Sequence, residues 1–297
     1  MQASTVKSAA AKTITPKSVP VSFEEILSYR QYQPSAALAS YVECYWQLES
    51  DPMDCTQYRK EKVLPYAFPE LIFCYGGKAS LLYQKQKQAL PESFVMGQFE
   101  QYLYLEYQGQ LASFGVKFKP AGLYELFKVP MKELTNRVLP LAQVISQQTE
   151  KLADTVLSAA TAAERIKAVE VFLLQQLSRK ASFLPYIHKA VNRIVETGGS
   201  VAVAELLNEF AVCERQMERK FLERVGLSPK MLTRVMRINQ AFRLLKQKPT
   251  ASWIDITYQC GYFDQAHFIR DFKKLAGESP SSFFARRSDF TTLFQAR

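Results

Sequence analysis

The chain has 297 residues, with 38 Lys+Arg against 28 Asp+Glu and two histidines, for a formal net charge of +10 at pH 7. At 47% hydrophobic and 22% charged, its composition is that of an ordinary soluble globular protein, and the length suits two domains. Two histidines exclude most multi-histidine metal chemistry, and the five cysteines, without a CxxC pair, read as buried thiols of a reducing compartment. The start has no apolar signal core and the chain no 18-residue apolar run, which places the protein in the cytoplasm with no membrane partner.

The positive charge is unevenly spread. Residues 1–180 carry 20 Lys+Arg and 17 Asp+Glu, a balance of +3, whereas residues 181–297 carry 18 and 11, a balance of +7. A polyanion-binding surface is therefore sought in the second part, although a solvated basic surface accounts for the charge equally well.

In chain order, residues 1–20 are rich in Lys, Ser, Ala and Thr and read as a disordered tail. Residues 21–180 read as a β-rich sensor or dimerisation domain that ends in helices. Within it, Leu71–Tyr75 is an apolar run closed by Gly76-Gly77, the pattern of a buried strand entering a turn. Phe114, Val116 and Phe118 alternate with Gly115, Lys117 and Lys119, the period of a half-buried strand. Residues 102–107 are bulky on both faces, as in a strand between two layers. The aromatic set Tyr41, Tyr45, Trp46, Phe73, Tyr75, Tyr102 and Tyr104 either builds a core or lines a cavity for a small, partly apolar effector. After Pro120 the texture turns helical. Thr161 and Glu164 form a capping box, and Ile166, Val169, Phe172, Leu173 and Leu177 make one apolar stripe that packs under the β-domain or against a second subunit.

Residues 181–290 read as an all-α domain, with a boundary at 178–185 and turn signals at Gly198-Gly199, Gly226, Pro249, Gly261 and Gly277. It contains a self-match at an offset of 51 residues: RKFLERVGLSP (219–229) aligns with RDFKKLAGESP (270–280). Each copy has a short amphipathic helix (Val203 to Phe210; Trp253 to Cys260) and a tight turn. A polar helix follows, starting at Cys213 or Asp264 and ending at Gly226 or Gly277. Helix, turn, helix is a unit whose second helix can enter a major groove, and a long connecting helix joins the copies.

Met217 and Phe221 anchor the first polar helix, leaving Glu214, Arg215, Gln216, Glu218 and Arg219 outward. Phe268 and Phe272 anchor the second, leaving Gln265, Ala266, His267 and Arg270. Arginine matches guanine O6/N7 and glutamine adenine N6/N7 in donor–acceptor geometry, although any helix shows a solvated polar face. His267 is a groove-facing donor or an ordinary surface histidine; Asp264 is read as a helix N-cap, and Ser252 as another, with Asp255 completing its box.

At these residues the chain resembles the AraC/XylS family of bacterial transcription regulators, over roughly residues 184–287, and above all in GYFDQAHFIRDFKKLAGESP (261–280). The resemblance implies an α+β protein in two domains, a β-rich sensor, of a kind often cupin-like in the family, followed by two helix-turn-helix motifs. It implies base contacts at Arg215, Glu218 and Arg219 and at Gln265, Ala266, His267 and Arg270; Gln216 joins them by its place on the helix face. Lys220, Arg234, Arg237, Lys273 and Arg286 are expected on phosphates. The implied partners are double-stranded DNA, RNA polymerase, a small-molecule effector and a second copy as a homodimer. Three positions depart from the family pattern: Leu207 for a small alanine, Ala211 for the turn glycine and Cys213 for the capping serine. VLPYAFPELIF (63–73) and GVKFKPAG (115–122) carry a looser likeness to the sensor region, and no effector-binding residue is assigned. No cofactor, metal or catalytic residue is expected. Two readings compete with regulation: a DNA-associated or cupin-like enzyme using Cys44, Cys55 or Cys74, and an adaptor that no longer binds DNA. The first 180 residues hold no histidine, so a His-rich cupin metal site is excluded there.

Overall fold

The strands in chain order are β1 (Leu27–Tyr32), β2 (Val42–Ser50), β3 (Arg59–Val63), β4 (Glu70–Tyr83), β5 (Gln86–Ala89), β6 (Ser93–Met96), β7 (Leu103–Phe118) and β8 (Val138–Pro140). They come from a computed structural model that describes residues 27–50, 59–145, 149–177, 185–248 and 251–285. The expected tail at 1–20, the boundary at 178–185 apart from Pro185, the turn at Pro249, Cys55 and Arg286 lie outside the described residues.

Two long antiparallel strands, β4 and β7, form the spine of one sheet. The other edge of β7 carries β3 and then β2, and the other edge of β4 carries β6 and then β5. β1 extends the sheet beyond β2, and β8 beyond β6.

Alternation along β7 sorts its side chains between two cores. Phe114, Val116 and Phe118 join Tyr45, Leu71 and Phe73 on the face covered by helices. Ser113, Gly115 and Lys117 face the opposite way, toward Trp46, Ile72 and Phe94. The alternation predicts a half-buried strand, but the structure buries both faces from Leu111 to Phe118. Two local devices permit it. Gly115 leaves the space in which the Trp46 indole lies, and Lys117 stands in register with Glu70, its ammonium 3.9 Å from the carboxylate.

The Gly76-Gly77 pair also behaves differently from the expected turn. β4 runs straight through it with a shift of register, a bulge rather than a chain reversal. Gly77 has φ +61°, and a side chain there would strike the carbonyls of Gln108 and Gln110.

Helices α1 (Gly122–Phe127), α2 (Leu141–Val144), α3 (Thr149–Ser158) and α4 (Ala162–Leu177) follow. The capping box forms as expected: Glu164 N–H donates to Thr161 Oγ1 at 3.3 Å, and Thr161 N–H to Glu164 Oε2 at 3.1 Å. The α4 stripe packs within the chain, with Val169, Phe172 and Leu173 buried in the same core as Phe114 and Phe118. Tyr45 Oη donates to Glu170 on the same helix, so a polar contact accompanies the apolar ones.

The remaining described helices are α5 (Pro185–Glu196), α6 (Val203–Glu209), α7 (Glu214–Arg224), α8 (Pro229–Gln247), α9 (Trp253–Gln259), α10 (Gln265–Ala276) and α11 (Pro280–Ala285). They enclose one core built on Phe221, Leu232, Phe268 and Phe272, each side chain of which contributes about 1.5–3 kcal/mol by its burial. Leu64, Ala67 and Ala121 from the β-rich half belong to that core too, so the two halves are packed together. Among the described residues no helix is long and apolar enough to cross a membrane.

The punctuation of the repeat has a structural cause in both copies. Ser228 and Ser279 accept from backbone N–H groups three residues on, with Pro229 and Pro280 at the first helical position after them. Gly226 and Gly277 both take left-handed φ, +81° and +77°. Both glycine turns are also where the β-rich half docks. Thr135 Oγ1 donates to the Gly226 carbonyl at 2.7 Å; at the other turn Tyr102 N–H donates to Leu275 O at 2.8 Å, and the Tyr102 ring covers Gly277.

Candidate nucleic-acid interface

In the first copy Leu206 turns α6 into the core, and a turn at 210–212 leads to α7. Met217 and Phe221 are fully buried, which leaves Arg215, Gln216, Glu218 and Arg219 exposed on the opposite side of α7. The second copy repeats this with Ile256 on α9 and with Phe268 and Phe272 on α10. Gln265, Ala266 and Arg270 are exposed there. His267 is only half-exposed: its ring meets Tyr262 edge-on at 5.1 Å, and Nε2 lies 3.8 Å from Asp271 Oδ2.

The caps separate the copies. Asp264 accepts from His267 N–H at 2.6 Å, and Ser252 from Asp255 N–H at 3.1 Å, both as the sequence predicts. In the first copy neither Ala202 nor Cys213 makes a side-chain cap bond. Gly261 has φ +71° in its turn, and Ala211 has φ +50° in the other, so the first copy takes with alanine a conformation that favours glycine. The second turn is also one residue longer, since α9 follows α6 at an offset of 50 residues and α10 follows α7 at 51.

The residues expected on phosphates occupy different surroundings. Lys273 is exposed at the end of α10. Lys220 is half-buried and ion-paired with Glu223 at 2.7 Å, and Glu223 in turn accepts from Tyr124 Oη of the β-rich half. The Lys220 hydrogen bond, with help from Tyr124, holds the Glu223 carboxyl below its usual range. Arg234 reaches from α8 to Asp271 on α10 at 2.7 Å, and Arg237 donates to Gly199 O at 2.7 Å with its guanidinium over the Tyr262 ring. These two arginines brace α8 against the rest of the domain.

A groove of about 580 Å³ opens between the start of α6, α8 and α10. Lys230, Arg234, Arg237, His267, Arg270 and Lys274 line it, with Asp271 as the single acid. Lys230 and Lys274 were not singled out in the sequence. Their signal was spacing: Lys230, Arg234 and Arg237 recur at four and three residues, as do Arg270 and Lys274 at four, so each set shares a helix face. Behind the groove, burial pushes the Tyr262 phenol above its ordinary range and the Cys260 thiol up to about 12.

Residues 206–286 match a family model described as a helix-turn-helix domain, and residues 30–140 one described as a domain of unknown function (DUF6597). The HTH-type transcriptional activator RhaS of Escherichia coli (strain SE11) is 33% identical over 89 residues, which are 30% of this chain and 31% of RhaS. RhaS of Escherichia coli O1:K1 / APEC is 30% identical over 83 residues, 28% of this chain and 30% of that protein. The chain thus spans about a third of the length of the curated relatives it matches. Among solved structures, ToxT from Vibrio cholerae O395 aligns at a TM-score of 0.43 with 12% identity, covering 80% of this chain and 99% of that one. The chain therefore carries a helix-turn-helix domain at 206–286, similar over that stretch to transcriptional activators, and a domain of unknown function ahead of it at 30–140.

Proposed function

We propose that this chain is a sequence-specific DNA-binding transcription regulator whose helices α7 and α10 enter adjacent major grooves of one duplex. The observation that carries the reading is the duplicated motif. In both copies two buried apolar anchors fix the roll of the second helix and leave a polar face outward. Arg215, Gln216, Glu218 and Arg219 on α7, with Gln265, Ala266, His267 and Arg270 on α10, are the base readers in this reading. Major grooves on one face of B-DNA recur about every 34 Å, which two recognition helices on one rigid domain can span. Lys230, Lys273 and Lys274 meet phosphates at the rim, with Arg234 and Arg237 bracing the helices beneath, and the affinity falls steeply with salt. The β-rich half serves as the sensing or dimerising part, and RNA polymerase is the partner through which binding acts on transcription.

The cysteine-enzyme reading gains nothing from the described thiols. Burial pushes Cys44 up to about 11 and raises Cys74 as well, so neither is a thiolate near neutral pH.

Arg270→Ala tests the proposal. It weakens the cognate site by about 1–3 kcal/mol and relaxes one base position, read by gel shift on a set of point-mutated sites. An equal loss on random DNA would make Arg270 a phosphate contact instead.

A further inference from the structure

The sheet face opposite helices α1–α4 holds a cavity of about 50 Å³. Its walls are mostly apolar, with Trp46, Tyr66, Phe94 and Tyr107 as the aromatic members, and two small residues, Ala79 and Ser113, face it from the central strands. One charged side chain lines it: Glu70, which is 1% exposed, accepts from Trp46 Nε1 at 3.2 Å and from the Tyr66 hydroxyl, and has Lys117 Nζ at 3.9 Å; burial pushes its carboxyl above the usual range. A buried ion pair is a weak stabiliser beside apolar side chains of the same volume, so the fold alone gives little reason to keep one here.

The segment that closes this cavity on one side is the segment that holds the helical domain. Val63 and Tyr66 line the cavity. Between and beside them, Leu64 and Ala67 are buried in the helical core. Lys62 Nζ donates to Ala276 O at 2.8 Å and pairs with Glu278 at 2.6 Å, at the end of α10. The Tyr66 carbonyl accepts from Asn239 Nδ2 on α8 at 3.3 Å. Residues 62–67 thus alternate between the cavity and the helices.

We infer that this cavity is the binding site of a small neutral aromatic molecule carrying one hydrogen-bond donor, of the phenol or indole class, and that its binding displaces β3 and loosens or resets the grip of residues 62–67 on α8 and α10. The aromatic side chains among the walls favour a ring, and the Glu70 carboxylate, already bonded by Trp46 and Tyr66, has lone pairs left for a single further donor. Size supplies the coupling. A benzene-sized occupant fills a cavity of about 150 Å³, so the present one must widen to take a ring. β4 and β7 are paired along both edges, whereas β3 is paired only with β7 among the described residues, so β3 is the wall that gives way. The part of this inference that concerns DNA rests on the regulator reading above; the binding site itself does not.

The test uses the full chain and three probes, phenol, indole and benzoate, followed by ligand-observed NMR. Phenol or indole should bind about tenfold more tightly than benzoate, whose carboxylate is repelled by Glu70. Ala79→Phe and Ser113→Leu fill the space from two strands, and each should weaken that binding about tenfold in a chain whose thermal unfolding remains cooperative. The bound probe should change affinity for the cognate DNA about fivefold, and Lys62→Met should abolish that change while probe binding persists. If neither phenol nor indole binds, or if binding survives in whichever filled variant folds, the cavity is not the site. If a bound probe leaves DNA affinity unmoved, the displacement of β3 is wrong. A chain that binds the probe but no DNA would sink the regulator reading and leave the site standing.

Discussion

The two helix-turn-helix copies follow one plan and differ in what holds them. The second is secured by its own residues: Ser252 and Asp264 cap its helices, and Gly261 takes the left-handed turn. Docking at Lys62 and Tyr102 is added to that. The first copy lacks both caps and puts Ala211 in the left-handed region. Its support comes from the β-rich half instead. Arg224 of α7 is paired with Glu125 of α1 at 2.6 Å with both side chains buried, Glu223 accepts from Tyr124, and Thr135 bonds the Gly226 carbonyl. Two copies of a sequence motif can therefore reach the same shape by different means, one local and one borrowed. The borrowed one makes α7 the part of the helical domain most dependent on its neighbour.

The largest effect that can break this comparison is expected at Glu125. Glu125→Ala strands the Arg224 guanidinium in the interior and should destabilise the chain by about 3 kcal/mol, measured by denaturant unfolding. Hydrogen exchange should rise in α7 well before α9 and α10. A loss below about 1 kcal/mol, or a uniform rise in exchange, would show that the first copy stands without the β-rich half. Next in size are the caps. Asp264→Ala should cost about 1 kcal/mol, and Cys213→Ala, which removes no cap bond, close to nothing. Equal losses from the two would mean that the caps do not distinguish the copies.

The features legible in the sequence are those that answer a backbone demand or a fixed period. Gly226, Gly277, Ser228-Pro229 and Ser279-Pro280 were readable because a left-handed turn and a capped helix start each accept few residue types. The outward faces of α7 and α10 were readable from the anchors four residues apart. Less legible was anything that two distant segments decide together. Gly76-Gly77 fits a turn and a bulge equally well, and only the pairing of β4 with β7 selects the bulge. Lys117 reads as a solvent-facing residue until Glu70 lies beside it, and Gly115 as a gap until Trp46 fills it. Arg234 and Arg237 look like free cations on α8. Their engagement with Asp271 and Gly199 depends on how that helix packs, which no local spacing encodes.

The smallest predicted gain is the sharpest for the comparison, because it concerns a single backbone angle. At Ala211, φ +50° costs an L-residue about 1–2 kcal/mol, and glycine there would remove the penalty. Glycine also loses more freedom on folding, by about 0.5–1 kcal/mol, so Ala211→Gly should gain only about 0.5 kcal/mol net. The reverse change in the second copy is not its mirror image. Gly261→Ala meets the same φ penalty, and the new Cβ would also stand 2.9 Å from Ser200 Cβ, so it should lose more than about 1 kcal/mol. Paired unfolding measurements on the two variants therefore separate conformational strain from packing. If Ala211→Gly proves destabilising, the first turn is not strained. The difference between the copies then reduces to the caps that the first lacks, and the dependence of the first on the β-rich half must be carried by the Arg224–Glu125 pair and its neighbours.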